Sequence, residues 1–104
     1  MVKIKICGFT RKQDIEEAIK LGVNLIGLNF FPPSPRFVEV KEAKRLFDGL
    51  PTHILKVGVF VNPDEKFLFK TAKALKIDGI QLHGDEPPWL IKKLKEKFEF
   101  EKFI

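Results

Sequence analysis

Cys7, Arg36, Arg11 and His83 are the side chains whose types suit chemistry, and each falls at or soon after the end of an apolar segment. Cys7 is the single cysteine, so it forms no intramolecular disulfide, and no second cysteine or histidine-rich cluster completes a metal site. A thiol moves protons as its thiolate, and an unperturbed thiol of pKa ~8.5 is mostly protonated at neutral pH. Taken alone, Cys7 reads first as a small buried apolar residue. Arg36 follows Ser34 in a loop stiffened by Pro32, Pro33 and Pro35, which lowers the ordering cost of presenting a planar guanidinium fork. Its bland reading is a solvated loop arginine. A histidine at a strand end is as often a hydrogen-bonded structural group as a site residue. Asp85, two residues beyond His83, reads first as a helix cap.

These residues need elements to position them. Lys3 to Cys7, Leu25 to Phe30, Lys56 to Val61 and Gly79 to His83 are rich in β-branched and apolar side chains and read as strands. Between them the apolar spacing turns helical. Ile15, Ala18, Ile19 and Gly22 share one face of a first helix, and Thr10 with Gln13 has the spacing of a capping box at its start. Ala43, Leu46, Phe47 and Leu50 form the stripe of a second, stopped by Gly49 and Pro51. A third is expected to be capped by Asn62, with Pro63 in its first position, acidic Asp64 and Glu65 in the first turn, and Leu68, Ala72 and Leu75 buried. Phe67 and Phe69 flank that stripe and are expected to be partly exposed. A fourth helix begins near Asp85 to Pro88, turns Ile91, Leu94 and Phe98 inward, and carries Trp89 as a packing or interface group. Phe100 to Ile104 alternates like the opening of a fifth strand.

Strands alternating with helices imply parallel pairing, because a parallel crossover needs about a dozen residues and a helix fills that length. Ligands in such folds bind at the carboxyl ends of the strands, where Cys7-Gly8, Asn29 to Arg36, Phe60 to Asn62 and Gln81 to Asp85 stand. A barrel wall and a small open doubly wound sheet both fit this periodicity. The 104 residues make one domain, far short of the ~250 typical of a closed βα barrel. A composition of 44% apolar and 32% charged residues is that of a globular chain. No apolar run approaches the ~20 residues of a membrane span, and the cytoplasm is the default address. The +5 formal charge suits a phosphorylated or carboxylated ligand, while Lys92, Lys93, Lys95 and Lys97 read as a solvated helix face and argue against a nucleic-acid role. Abundant Lys and Glu also suit a heat-adapted protein.

Four segments, Lys5-Ile6-Cys7-Gly8-Phe9-Thr10, Ser34-Pro35-Arg36, Val57-Gly58-Val59-Phe60-Val61-Asn62 and Gln81-Leu82-His83-Gly84-Asp85-Glu86, resemble phosphoribosylanthranilate isomerase in order and spacing. The resemblance implies four βα units, half of a (βα)8 TIM barrel, with Lys102-Phe103-Ile104 resembling the opening of the family's fifth strand. It implies an Amadori rearrangement in tryptophan biosynthesis, with Cys7 as general base, Arg36 on the anthranilate carboxylate, and Arg11 and His83 lining the site. It implies no cofactor and no metal. The family's general acid follows its sixth strand and its phosphate site follows the seventh and eighth, so the acid role passes to none of the fourteen acidic residues present. The expected partners are a phosphorylated small molecule and either a second copy or a complementary half barrel. A self-associating structural half barrel and a small anion-binding βα domain are the competing readings.

Overall fold

The computed structural model describes residues 4–97 and contains four βα units in strict alternation. Strand β1 spans Lys5–Cys7, β2 Leu25–Asn29, β3 Leu55–Phe60 and β4 Gly79–Leu82; helix α1 spans Lys12–Lys20, α2 Val40–Phe47, α3 Glu65–Leu75 and α4 Pro88–Lys97. All neighbouring strands are parallel, and their order in the sheet is β1-β2-β3-β4. A doubly wound sheet reverses its strand order at a switch point. This one never reverses, which is the sequential winding of a barrel wall and removes the open-sheet alternative. Lys3, Phe98 and the alternating Phe100 to Ile104, which enter the expectations for the first strand, the last helix and a fifth strand, lie outside the described residues.

Register sorts the strand residues into two faces, since side chains alternate along a strand. Ile26 pairs with Lys56, Leu28 with Gly58 and Gly58 with Ile80, so these residues share a face with Phe60. That face carries the core, in which Ile26, Leu28, Phe60 and Ile80 pack with Ile15, Ala43, Leu46, Leu68, Ala72 and Leu94 from the helices. Burying each large aliphatic side chain contributes about 1.5–3 kcal/mol, so this layer dominates the stability. Gly58 leaves room for a ring stack between Phe30 and Phe60, whose centroids lie 5.2 Å apart. The opposite face carries Cys7, Gly27 and Val57 in one row and Asn29, Val59 and Gln81 in the next.

Helix termini depart from the sequence pattern in three places. Helix α1 has Arg11 at its N-cap with no side-chain cap bond, because the Arg11 guanidinium takes the Gln13 amide oxygen at 2.8 Å and the capping box with Thr10 does not form. Helix α3 is capped by Asp64, which accepts from the Phe67 N–H at 3.2 Å, and not by Asn62. Asn62 takes a left-handed backbone, φ 43°, and is occupied elsewhere. Helix α4 begins at Pro88, leaving Asp85 outside it and without a capping role. Gly22 and Leu50 also fall past the ends of their helices, Gly22 in a left-handed turn with φ 96° and Leu50 packed on the core.

One contact ties the helix layer together. The Lys12 ammonium, from the first turn of α1, donates to the carbonyls of Leu46 at 3.0 Å and of Asp48, at the C-terminus of α2. Those carbonyls have no partner inside their own helix and carry the negative end of its dipole, so a cation there satisfies both needs.

Candidate functional site

The chemistry-bearing residues meet where the strands end. Cys7 closes β1, half-buried, and Gly8 follows in a left-handed conformation with φ 88°, its N–H bonded to the Gly27 carbonyl at 2.9 Å. Arg36 reaches this point from the β2–α2 loop. That loop is a compact excursion: Asn29 Oδ1 accepts from the Phe31 N–H at 2.8 Å, Ser34 Oγ accepts from the Arg36 N–H at 3.1 Å, and the Val38 N–H returns to the Asn29 carbonyl at 2.9 Å. The backbone on both sides of Arg36 is therefore held. Its side chain lies across Gly8 so closely that a Cβ there would sit 2.6 Å from Arg36 Cδ and 2.8 Å from Nε. The left-handed backbone angle favours glycine, and any side chain there would push the Arg36 guanidinium aside.

The thiol itself meets β4. Cys7 Sγ lies 3.8 Å from Gln81 Oε1, although β1 and β4 are the two edges of the sheet. Gly27 makes this possible, since a Cβ on it would lie 2.8 Å from the Cys7 sulfur. Gln81 opens the Gln81-to-Glu86 segment, where a strand glutamine carries no sign of a thiol partner. Its parity matches that of Cys7, yet only the curvature of the sheet brings the two together.

The other two candidates make contacts of their own. Arg11 is exposed and turned along α1, bonded to Gln13 and 4.0 Å from Asp14. His83 is exposed just beyond β4, its backbone N–H tied to the Phe60 carbonyl at 2.9 Å. The loop after it is braced against the loop after β3. Glu86 accepts from the N–H groups of Asn62 at 2.7 Å and Gly84 at 2.9 Å, and Asn62 Oδ1 accepts from the Asp85 N–H at 2.8 Å. The unusual backbone of Asn62 is thus part of a clasp between two rim loops, and Glu86 is committed to backbone donors and not to acid-base work.

An apolar cleft of about 400 Å³ opens beside this rim, between the β2–α2 loop and the start of α3, lined by Phe30, Phe31, Phe37, Phe60 and Phe67 among others. Among the described residues, no group of three or more His, Cys, Asp or Glu side chains is placed to hold a metal ion, and no helix is long and apolar enough to cross a membrane. Trp89 is 55% exposed and Phe67 37%, while Phe69 is half-buried.

The model of the N-(5'-phosphoribosyl)anthranilate isomerase family matches residues 4–104. The chain belongs to that family. The isomerase of Acinetobacter calcoaceticus is 43% identical over 86 residues, covering 83% of this chain and 40% of that protein. The Thermotoga maritima isomerase is 35% identical over 97 residues, covering 93% of this chain and 47% of its own length. The chain therefore spans less than half the length of these relatives. Its fold follows theirs: it matches the Thermotoga maritima isomerase structure with a TM-score of 0.90 over 94% of this chain and 48% of that one. An isomerase structure in complex with reduced 1-(o-carboxyphenylamino)-1-deoxyribulose 5-phosphate matches equally well, at 0.90 over half of that chain. Four sequential parallel βα units, half of the barrel seen in these relatives, are the architecture of the described residues.

Proposed function

We propose that this chain supplies the proton-abstracting and carboxylate-recognising side of a phosphoribosylanthranilate isomerase site. The observation that carries the reading is the close approach of Arg36 to Gly8, directly after Cys7, at the carboxyl ends of the strands. Cys7, as thiolate, takes the proton from the sugar carbon next to the anomeric centre. Arg36 grips the anthranilate carboxylate through its planar fork. Arg11 and His83 line the outer part of the site, where their exposure lets them meet a phosphorylated ligand. The general acid and the phosphate loops come from the part of the barrel that the relatives carry beyond the matched half. A biosynthetic role in tryptophan formation, with the cytoplasm as its address, follows from this reading.

An assay of isomerisation, first of the purified chain and then after adding the complementary half of a relative's barrel, tests it. Loss of an acid-base partner removes about 10²–10⁴-fold of rate, so the chain alone is expected to be nearly inactive. Activity should appear on complementation and vanish in Cys7→Ala. A chain that turns over alone at enzyme-like rates, or a complemented assembly indifferent to Cys7→Ala, overturns the proposal.

A second reading, self-association, has its own observation. Among the described residues, strands β1 and β4 each have one neighbour in the sheet, and Ile4 and Ile6 are 47% and 42% exposed along β1 and its approach. Open edges and apolar strand residues favour pairing. Two copies closing edge to edge would sediment as a dimer; a folded monomer at high concentration removes this reading.

A further inference from the structure

Gln81 has no part in the roles given above, yet it is the side chain that meets the thiol. Three strand spacings separate β1 from β4, so in a flat sheet their residues would stand roughly 14 Å apart. The curved wall and the bare Cα of Gly27 reduce the gap between Cys7 Sγ and Gln81 Oε1 to 3.8 Å. Both side chains are half-buried, in a recess walled by Val57 and Val59 of the same face, which are 0% and 3% exposed. A partner in such a recess acts more strongly than one in open water.

We infer that Gln81 is a positioning residue for Cys7 and serves both of its protonation states. A carboxamide carries an acceptor and a donor on one terminus, and its last torsion is broad and roughly two-fold. Facing the thiol it presents Oε1 to S–H; turned over, it presents an Nε2 proton to the thiolate. The second contact is charge-assisted and the stronger of the two, so removing Gln81 is expected to cost the thiolate more than the thiol. The inference rests on Cys7 being the base. In that step the C–H bond of the ring-opened iminium breaks as the S–H bond forms. The released C–H electron pair becomes the new C=C bond, the π pair of the C=N bond moves onto nitrogen and neutralises it, and Gln81 turns its oxygen to the new thiol. The titratable groups nearest in the fold are Lys5 on the same face of β1, Arg36 across Gly8, and His83 two residues beyond Gln81. None of them changes in the test.

Cys7 is the single cysteine, so thiolate absorbance and alkylation by iodoacetamide across pH report on it alone in the chain as it stands. Gln81→Leu is expected to move the titration midpoint up by about one unit, a roughly tenfold loss of thiolate at neutral pH. Gln81→Glu, which keeps the size and replaces the donor by a negative charge, is expected to move it further in the same direction. If either variant retains the cooperative unfolding of the parent and titrates at the parent's midpoint, the inference fails. The titration needs no turnover, which separates two failures. Loss of activity in Cys7→Ala together with an unmoved midpoint in Gln81→Leu sinks the role of Gln81 alone. A moved midpoint with activity retained in Cys7→Ala sinks the base, and with it the role of Gln81 in the reaction.

Discussion

From β2 to β4 the outer face of the sheet carries large apolar side chains packed under helices, whereas the inner face places a thiol, an amide and a carboxamide toward its carboxyl end. Ile26, Leu28, Phe60 and Ile80 pack into one continuous core on the outside. Inside, Cys7, Gly27, Asn29 and Gln81 leave a recess in which a thiol and a carboxamide touch. Both faces belong to the same four strands, so neither backbone geometry nor strand order explains the contrast. What differs is the task of each. One face removes apolar area from water, and the other brings a thiol and a carboxamide together at the carboxyl ends of the strands.

That division can be broken by substitution. Leu28→Ala, at a side chain with no exposure, is expected to cost about 2–5 kcal/mol in denaturant unfolding, because the cavity adds to the lost transfer energy. Cys7→Ala on the inner face should cost about 1 kcal/mol or less. Equal losses at the two positions would show that the faces share the work of stability after all. Gly27→Ala sharpens the contrast, because it fills the inner recess without a charge or a polar atom. Its Cβ would lie 2.8 Å from the Cys7 sulfur and 3.2 Å from the Cys7 Cα, and the latter is backbone that cannot swing aside. Overpacking of this kind costs about 1–3 kcal/mol. It should also separate Cys7 from Gln81, seen as slower alkylation of the thiol at neutral pH. An unchanged unfolding midpoint and alkylation rate would mean that the recess is looser than the distances imply.

The outer face was the legible one. Its β-branched runs place β2, β3 and β4 within one residue of the observed bounds and its helical stripes locate all four helices, although the second stripe runs to Leu50, three residues past the end of α2. The motifs at the strand ends single out Cys7 and Arg36, and in the fold Cys7 closes β1 with the Arg36 side chain across the following Gly8. The contacts that assemble the rim were not legible, because they depend on curvature and on loops meeting from different units. Asn62 looks like a helix cap in an Asn-Pro-Asp run that offers two caps, and Asp64 takes that place because Asn62 is held in the clasp with Asp85 and Glu86. Asp85 looks like a cap too, but Pro88, whose fixed φ suits a first helical position, sets the start of α4 further on. Gln81 reads as an ordinary polar residue on a strand until Gly27 and the bend of the wall put it against Cys7.

Lys12 carries the comparison into the helix layer, where the outer face depends on contacts that are not apolar. Its ammonium lies over the last carbonyls of α2, and its stem covers the gap between α1 and α2. Lys12→Met keeps most of that stem and removes the charge, so any loss reports the electrostatic part alone. Cation–dipole contacts at a helix C-terminus are worth about 0.3–1 kcal/mol and are screened by salt. The expected result is a small drop in the unfolding midpoint at low salt that shrinks as salt is added. A loss of several kcal/mol, independent of salt, would instead make Lys12 a packing element of the core, and the outer face would then owe its stability to fewer apolar contacts than its burial suggests.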